Sequence, residues 1–330
     1  MWFEKLTGFI ETNPEDVRNN LELIEDKIVS KINRAEMKFG QLEVCSLNSL
    51  RERTKVFNNY TSKIKVSEIV GNVQSMHTDI ENNGALFQAA SQFNLLEMVS
   101  PNISPERGVG IYENDFTQGP ACAIACGAGT IFRNYFANVN DRIGQTHDNQ
   151  IDCLEDIGIE LENSKWLLWN MSNGYALPSS DGLKKINELI LARSPKEYDE
   201  LKSKLKVGIQ WNTDVTINQS KNNVSQVYCS ALPVSYTHID PELWMVFAVL
   251  ILEATYEATL HSALINYKNT GNNRVYLTLV GGGAFGNARA WILDSMNASI
   301  SKFMNAPLDI KIVSYGGSNI LIKDFADSFK

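Results

Sequence analysis

A glycine-rich loop is the first segment whose residue types could hold a ligand. It follows an apolar run, 274–280, that is typical of a strand buried on both faces, and a helical pattern over 288–303 begins directly after it. Glycines let backbone N–H groups approach a ligand, and a helix N-terminus favours negative charge. The spacing predicts a phosphate site, and the alternative is a tight turn without a ligand. The loop residues are Gly281, Gly282, Gly283, Ala284, Phe285, Gly286 and Asn287.

Two common nucleotide motifs fit this loop poorly. Gly281, Gly283 and Gly286 match G-x-G-x-x-G loosely, but the loop lies too near the C-terminus for a dinucleotide-binding fold to follow it. A P-loop is excluded because no Gly-Lys-Ser/Thr follows the glycines. A nucleotide-dependent oxidoreductase that uses this loop stays open as an alternative function.

Two acids, Glu113 and Asp115, precede a second helix N-terminus at Gln118-Gly119-Pro120. A helix N-terminus stabilises an ionised carboxylate, which suits a group that activates water or steadies a cationic sugar centre. Plain capping of the helix by these acids fits the sequence equally well.

A third polar cluster follows the apolar run 85–90. Ser91, Gln92 and Asn94 come directly after this predicted strand, and Glu97 is close behind. The ends of strands of this kind can position ligand groups. For Gln92 and Asn94 taken alone, hydrogen bonds that cap the loop are the preferred interpretation.

Composition and charge narrow the classes of function. The 330 residues carry a formal net charge of −8, which disfavours nucleic acid as a partner. The four histidines lack the spacing of metal ligands, so we expect no metal. Five scattered cysteines suit a reducing compartment, and the longest apolar run, Leu243 to Leu252, is too short to span a bilayer. We therefore expect a cytosolic protein that does not enter a membrane.

Strands and helices alternate along much of the chain, which predicts an α/β layered core with a mostly parallel or mixed sheet. We expect an N-terminal helical extension over residues 1–65, with a helix from about 13 to 34. The core would occupy residues 66–330 and would carry an insertion of charged, amphipathic helices at about 138–206. The predicted strands are 66–73, 85–90, 207–211, 226–232, 274–280 and 308–315, and the predicted core helices are 121–135, 241–264 and 288–303.

Taken in order, four segments resemble a macrodomain. Val70-Gly71-Asn72-Val73-Gln74 is similar to the Gly-Asp-Ile-Thr segment of that family, with Asn72 where an aspartate meets adenine. The segment 87–93 is similar to the strand and loop beside the distal ribose. The segment 115–128 resembles the first phosphate loop and its helix, and 281–287 resembles the second. The resemblance is to the divergent branch near poly(ADP-ribose) glycohydrolases and bacterial effectors that remove ADP-ribose from ubiquitin arginine.

The resemblance implies a three-layer α/β/α fold with a mixed central sheet and a hydrolase that removes ADP-ribose from a protein side chain. In the family, the two loops clamp the diphosphate and an aromatic residue, here Phe93 or Phe285, shields the ribose. The residues it implies for binding ADP-ribose are Asn72, Ser91, Gln92, Phe93, Asn94, Thr117, Gln118, Gly119 and the loop Gly281 to Asn287.

Two departures from the family affect the catalytic assignment. Ser91 stands where an asparagine is usual, and no Gln-Glu-Glu motif follows a glycine triplet. We therefore place the catalytic acid by position at Asp115, with Glu97 and Glu113 as rivals.

The resemblance also implies the ligand and the partner. ADP-ribose would be the ligand or product, no cofactor would be required, and the partner would be an ADP-ribosylated protein, with ubiquitin one candidate. The cytosol would be that of a host if the protein is a secreted effector. A module that binds ADP-ribose without cleaving it is the alternative function.

Overall fold

The computed structural model describes residues 1–57 and 60–330, and its strands account for the alternation seen in the sequence. The strands are β1 (Leu21–Ile24), β2 (Lys27–Ser30), β3 (Glu36–Lys38), β4 (Gln41–Ser46), β5 (Lys65–Val70), β6 (Leu86–Ala90), β7 (Asn138–Val139), β8 (Arg142–Ile143), β9 (Trp169–Ser172), β10 (Tyr175–Pro178), β11 (Lys206–Asp214), β12 (Asn223–Cys229), β13 (Arg274–Leu277) and β14 (Asp309–Ser314). The helices are α1 (Trp2–Thr7), α2 (Pro14–Asn20), α3 (Leu47–Thr54), α4 (Val73–Met76), α5 (Gln118–Ala125), α6 (Gly127–Tyr135), α7 (Glu155–Glu160), α8 (Asn163–Trp166), α9 (Ser180–Leu191), α10 (Pro195–Lys202), α11 (Met245–Thr270), α12 (Arg289–Ile300) and α13 (Ile320–Asp327).

The central sheet has seven strands in the order β4-β11-β12-β6-β13-β14-β5. The run from β12 to β5 is parallel throughout, whereas β11 pairs antiparallel with both β12 and β4. The carboxyl ends of β12, β6 and β13 therefore lie side by side at one edge of the sheet. Open sheets of this kind bind ligands at that edge.

Helices cover both faces of the sheet, as neighbouring residues of β6 show. The Gln88 side chain donates to Thr259 Oγ1 on α11, while the Phe87 ring stacks on His77, which follows α4. Successive strand residues point to opposite faces, so α11 packs on one side and α4 with α5 on the other. The prediction of a three-layer α/β/α fold with a mixed central sheet is confirmed.

The helix α11 is the long apolar element at the centre of the fold. With the turn before it, the stretch Pro241–Thr270 has the length of a membrane-crossing helix, and its most apolar 18-residue window has a mean hydropathy of 1.5, which also meets that test. However, 72% of its most apolar window is buried inside the protein. Its apolar residues form core contacts with the sheet and with α3, α9 and α12.

The predicted helix over 13–34 is wrong beyond Asn20. The backbone at Leu21 is extended, and Glu25 has a positive φ in a two-residue turn that pairs Ile24 with Lys27. The chain thus continues as the hairpin of β1 and β2. In addition, β4 pairs with β11 in the central sheet, so the first 65 residues are more than a helical extension.

Two further predictions need correction. The predicted helix 121–135 begins earlier, at Gln118, and is interrupted at Cys126, whose backbone leaves the helical region. The insertion over 138–206 contains α7 to α10 as expected, but also the hairpin of β9 and β10. Asn173 and Gly174 both have positive φ there, which is the two-residue turn that Asn-Gly favours.

His77 is a fully buried histidine held in its neutral form. Its Nδ1 lies 2.7 Å from the Val73 carbonyl oxygen and its Nε2 lies 3.0 Å from Gln226 Nε2. The ring needs a proton on Nδ1 to donate to Val73, which leaves Nε2 free to accept from Gln226. Burial lowers the pKa of His77 from 6.5 to about 4.

We predict that this histidine makes the protein acid-sensitive. The unfolded chain binds a proton near pH 6.5 and the folded protein only near pH 4, so stability is present above 6.5 and is lost as pH falls toward 4. The advantage of wild type over His77→Phe should shrink by about 3 kcal/mol across this range. Denaturant unfolding at several pH values measures it. The exposed His238→Phe serves as control, and an equal shrinkage there would contradict the assignment.

Candidate functional site

A cleft of about 700 Å³ opens where β12, β6 and β13 end. Its lining residues are Ala90, Ser91, Gln92, Glu97, Met98, Val99, Asp115, Thr117, Gln118, Gly119, Tyr175, Ala231, Tyr236, Thr278, Leu279, Val280, Gly281, Gly283, Ala284 and Phe285.

The glycine-rich loop forms one wall of the cleft and is fixed at both ends. Gly281 has a φ of 75°, and a Cβ at this position would overlap the Cβ of Ala231. Asn287 donates from its backbone to Gly281 O at 2.9 Å and from its side chain to Leu232 O at 2.8 Å. Ser235 N donates to Phe285 O at 3.0 Å. These bonds hold the loop open toward the cleft without any ligand.

Several amides of this loop have no partner in the protein. Across residues 1–57 and 60–330, the backbone N–H groups of Gly281, Gly283, Ala284 and Phe285 donate to no acceptor. A Cβ added at Gly283 would meet nothing within 4 Å, so this part of the loop is open to a ligand. Consecutive unpaired amides of this kind bind anions. The loop can therefore hold phosphate oxygens by backbone groups alone.

Glu97 is a buried carboxyl group at the opposite wall. Its side chain is 4% exposed, and its Oε1 has no hydrogen-bond partner within the described residues. Its backbone N–H donates to the Tyr112 hydroxyl at 3.0 Å. A Cβ at Gly119 would overlap both the Glu97 carboxylate and the Ala90 carbonyl oxygen, so only glycine fits between them.

Burial is the main influence on the charge of Glu97, and it raises the pKa of this carboxyl well above its usual value. The buried guanidinium of Arg133 opposes this shift and the carboxylate of Asp115 adds to it. Arg133 itself donates to neutral partners, Leu95 O, Gln210 Oε1 and Thr130 Oγ1, at 3.0–3.3 Å. Glu97 is therefore a group that can carry a proton into the cleft at neutral pH.

Asp115 lies at the cleft ahead of α5. Its Oδ1 accepts from Thr117 N at 2.9 Å, and its own N–H donates to Tyr112 O at 3.1 Å. Gln118 joins this turn to the end of β6, because its Oε1 accepts from Ala90 N at 2.9 Å and its Nε2 donates to Gln88 O at 2.7 Å. The two acids thus face one cleft from two loops that share Tyr112 as a hydrogen-bond partner.

Three aromatic rings also line the cleft. Tyr175, from β10 of the insertion, lies 5.1 Å from the ring of Tyr236 and 5.4 Å from that of Phe285, measured between centroids. The Tyr175 hydroxyl donates to Met98 O at 2.6 Å, next to Glu97. The insertion therefore takes part in the cleft.

The structure brings most of the predicted site residues together. The predicted residues that line the cleft are Ser91, Gln92, Glu97, Asp115, Thr117, Gln118, Gly119, Gly281, Gly283, Ala284 and Phe285. Gln92 also has a structural task, since its Oε1 accepts from Met98 N at 2.9 Å.

Seven predicted residues lie outside the lining. These are Asn72, Phe93, Asn94, Glu113, Gly282, Gly286 and Asn287. Phe93 and Asn94 are buried in the fold, whereas Phe285 lines the cleft. Asn72 caps α4 by accepting from Gln74 N. Glu113 accepts from the backbone N–H of Trp2 at 3.0 Å, away from the cleft.

Sequence reasoning missed Tyr175 and Tyr236. The Asn173-Gly174 pair before Tyr175 was the available signal, because Asn-Gly between extended segments predicts a hairpin. Tyr236 lies in a short turn after β12 and carried no comparable signal.

Within residues 1–57 and 60–330, no Lys, Arg or His side chain lines the cleft. Among the described residues, no group of three His, Cys, Asp or Glu side chains could hold a metal ion. Any anion held here would interact with backbone amides and helix ends, and the carboxylate of Asp115 would favour a cationic group beside it.

Comparisons with known proteins give matches only among solved structures. No protein-family model and no curated protein matches the sequence. A poly(ADP-ribose) glycohydrolase from Thermomonospora curvata is 10% identical, with 96% of each chain covered and a TM-score of 0.45. The Deinococcus radiodurans enzyme in complex with ADP-ribose is 9% identical, covering 87% of this chain and 92% of that one, with a TM-score of 0.44. Scores below 0.5 do not establish a common fold, and such identities do not carry residue roles from one chain to another.

We predict that Glu97 lowers stability as pH rises. The unfolded carboxyl ionises near pH 4.5 and the folded one only at higher pH, so Glu97→Gln should match wild type near pH 4 and exceed it increasingly above pH 5. The gain is about 1.4 kcal/mol for each unit of pKa shift. Thermal unfolding between pH 4 and 8 measures it. Glu113→Gln is the control, and a gain that does not depend on pH would rule out the buried neutral carboxyl.

Proposed function

We propose that the cleft binds ADP-ribose and that the protein hydrolyses the bond between ADP-ribose and a protein side chain. One observation carries the proposal: unpaired amides of the 281–285 loop and the buried carboxyl of Glu97 face the same cleft. The first suits a diphosphate and the second suits a leaving group that needs a proton. A side chain linked to ADP-ribose would use both the loop amides and the Glu97 carboxyl group. A simple phosphate or a neutral sugar would use only one of them.

The loop would hold the diphosphate and so place the ribose against the aromatic wall. Hydrogen bonds from backbone amides to charged oxygens are stronger than those between neutral groups. Phe285, which belongs to the loop and to the aromatic wall, would cover the ribose. This arrangement fixes the anomeric carbon on the side of the two acids, and positioning of this kind supplies much of the rate.

Glu97 and Asp115 would then divide the chemistry. Glu97 donates its proton to the leaving nitrogen or oxygen as the bond to the anomeric carbon breaks. Asp115 orients a water molecule and takes its proton as the new bond from the water oxygen to the anomeric carbon forms. The positive charge that develops on the ribose lies between these groups. This makes Glu97 the proton donor, whereas position in the sequence alone favoured Asp115 as the principal catalytic residue.

The finer assignments extend this proposal. The Asp115 carboxylate, in a described lining without Lys, Arg or His, favours a leaving group that becomes cationic when Glu97 protonates it, so we infer an N-glycosidic bond to an arginine side chain. Ubiquitin as the modified protein follows from the family resemblance of the sequence motifs. The reaction consumes water and needs no cofactor, and we propose that it takes place in the cytosol.

A binding module that does not cleave ADP-ribose is the second candidate. It would use the same loop but would have no use for a buried carboxyl without a partner, which costs stability. Glu97 therefore favours the hydrolase. An oxidoreductase would have to place a nicotinamide beside the loop, and ADP-ribose would then bind less tightly than NAD.

We predict release of ADP-ribose from an arginine-modified protein by wild type. Glu97→Gln and Asp115→Asn should each lower the rate by at least 100-fold, because general acid–base catalysis contributes about 10²–10⁴-fold. Release is measured by mass spectrometry of the modified protein, with serine- and glutamate-linked substrates in parallel. Glu113→Gln should retain full rate.

The outcomes separate the candidates. Release from none of the three substrates, with ADP-ribose still bound, would establish the binding module. Loss of the rate in Glu113→Gln alone would move the chemistry away from the cleft.

We also predict that binding depends on the loop amides. Ala284→Pro removes one of the unpaired N–H groups and should weaken ADP-ribose about tenfold, since a hydrogen bond to a charged group is worth about 1.5–3 kcal/mol. Calorimetry with ADP-ribose, AMP and NAD measures this, with the exposed Ala290→Pro in the first turn of α12 as control. Unchanged affinity in Ala284→Pro, or a preference for NAD, would contradict the assigned phosphate loop.

A further inference from the structure

The N-terminal segment contributes a partly buried carboxyl group, Glu11, that lies outside the cleft. We propose that Glu11 is a positioning residue whose carboxylate fixes the turn at 109–112 and, through Tyr112, the placement of Glu97 and Asp115. The proposal rests on the hydrolase function assigned above. It adds an N-terminal element to a site that is otherwise built from the loops of the sheet.

The contacts of Glu11 are made with backbone groups of one short turn. Its Oε1 accepts from Val109 N at 3.0 Å and its Oε2 from Gly110 N at 2.6 Å. The Tyr135 hydroxyl donates to Oε1 at 2.6 Å. A Cβ at Gly108 would lie 2.6 Å from the Glu11 carboxyl carbon, so the turn approaches the carboxylate as closely as a glycine allows.

The turn connects Glu11 to both acids. Tyr112 N donates to Val109 O at 3.1 Å, which closes the turn. The Tyr112 hydroxyl accepts from Glu97 N at 3.0 Å, and the Tyr112 carbonyl accepts from Asp115 N at 3.1 Å. The buried Tyr112 thus contacts the backbone of each acid. It follows Gly110 and Val109, whose amides donate to Glu11, by two and three residues.

The apolar packing around these groups also connects the N-terminal segment to Glu97. A separate hydrophobic cluster joins the N-terminal segment to the residues on either side of Glu97. Its members include Phe3, Val17, Leu21, Leu96, Met98, Val109, Tyr112 and Tyr135. Leu96 and Met98 are both 1% exposed. The acid is therefore flanked by an apolar cluster to which the docked N-terminal segment contributes. Glu11 adds polar contacts to that docking, as Trp2 does by donating to Glu113 and Val109.

The hydrogen bonds that fix the phosphate loop do not involve Glu11. These bonds are made within the loop and to Leu232 and Ser235, and Glu11 contacts none of these residues. Loss of the Glu11 contacts should therefore misplace the acids and leave the diphosphate site intact. A displacement of about 1 Å at a reacting group can lower a rate about 100-fold.

The test compares three variants in the full chain. Glu11→Gln replaces one acceptor oxygen with a donor that faces the Val109 and Gly110 amides. Tyr135→Phe removes one hydrogen bond and keeps the packing, which serves if Glu11→Gln does not fold. Glu15→Gln removes an exposed carboxylate from the same segment and is the matched control. The turnover number, the Michaelis constant and the ADP-ribose affinity are measured for each.

We expect Glu11→Gln to lower the turnover number about 100-fold with an ADP-ribose affinity within about twofold of wild type. Tyr135→Phe should show a smaller loss of turnover and Glu15→Gln none. Unchanged turnover in Glu11→Gln would overturn the proposal. So would an equal loss of turnover and affinity, because Glu11 would then support the fold as a whole.

A readout without catalysis separates this proposal from the hydrolase function. Above pH 5, Glu97→Gln is expected to be more stable than wild type. This gain in stability should be smaller when Glu97→Gln is made in the Glu11→Gln background, because a misplaced Glu97 reaches water. An undiminished gain would overturn the positioning role even if no substrate is cleaved. Conversely, the stability gain could be smaller in the Glu11→Gln background while wild type hydrolyses no substrate. That result would support Glu11 as the group that places Glu97 and would refute the hydrolase.

Discussion

The cleft depends on the burial of one carboxyl group. Glu97 is removed from water, its Oε1 lacks a partner among the described residues, and no salt bridge joins it to Arg133 there. Such a group is destabilising unless it stays protonated, and the surroundings impose that form. Its neighbours are arranged accordingly. Gly119 leaves room for the carboxylate, Tyr112 holds its backbone, and an apolar cluster encloses the residues on either side.

The wall formed by the 281–285 loop differs from the Glu97 side of the cleft in its electrostatics. A chain with a net charge of −8 and the carboxylate of Asp115 in its cleft would repel an anionic ligand, and no Lys, Arg or His among the described lining residues offsets this. The amides of the 281–285 loop provide partial positive charge without an ionised side chain. Because that charge is local and directional, an anion would be held only along the loop, and its other end would meet the acids.

The sequence predicted the layers of the fold and the loops of the cleft, because both follow from local patterns. Alternating apolar segments predicted the strands β5, β6, β13 and β14, and a glycine triplet after an apolar strand predicted the loop at Gly281. The prediction for the N-terminal region was wrong, because the charged and apolar residues of 21–30 fit a helical period but form a hairpin. Burial of Glu97 could not be predicted, because it depends on residues that come from distant parts of the chain.

The aromatic wall has a consequence for how the protein acquires its cleft. Tyr175 and Phe285 are separated by 110 positions (285 minus 175), and Tyr236 lies between them in the chain. Contacts of such long sequence separation form only when the loop-closure entropy of the intervening segments has been overcome, as do the parallel strand pairings of the central sheet. A partly folded chain, with the sheet assembled and the β9–β10 hairpin still undocked, would have the loop amides but an open wall. The aromatic wall of the cleft is therefore complete only when the β9–β10 hairpin has docked.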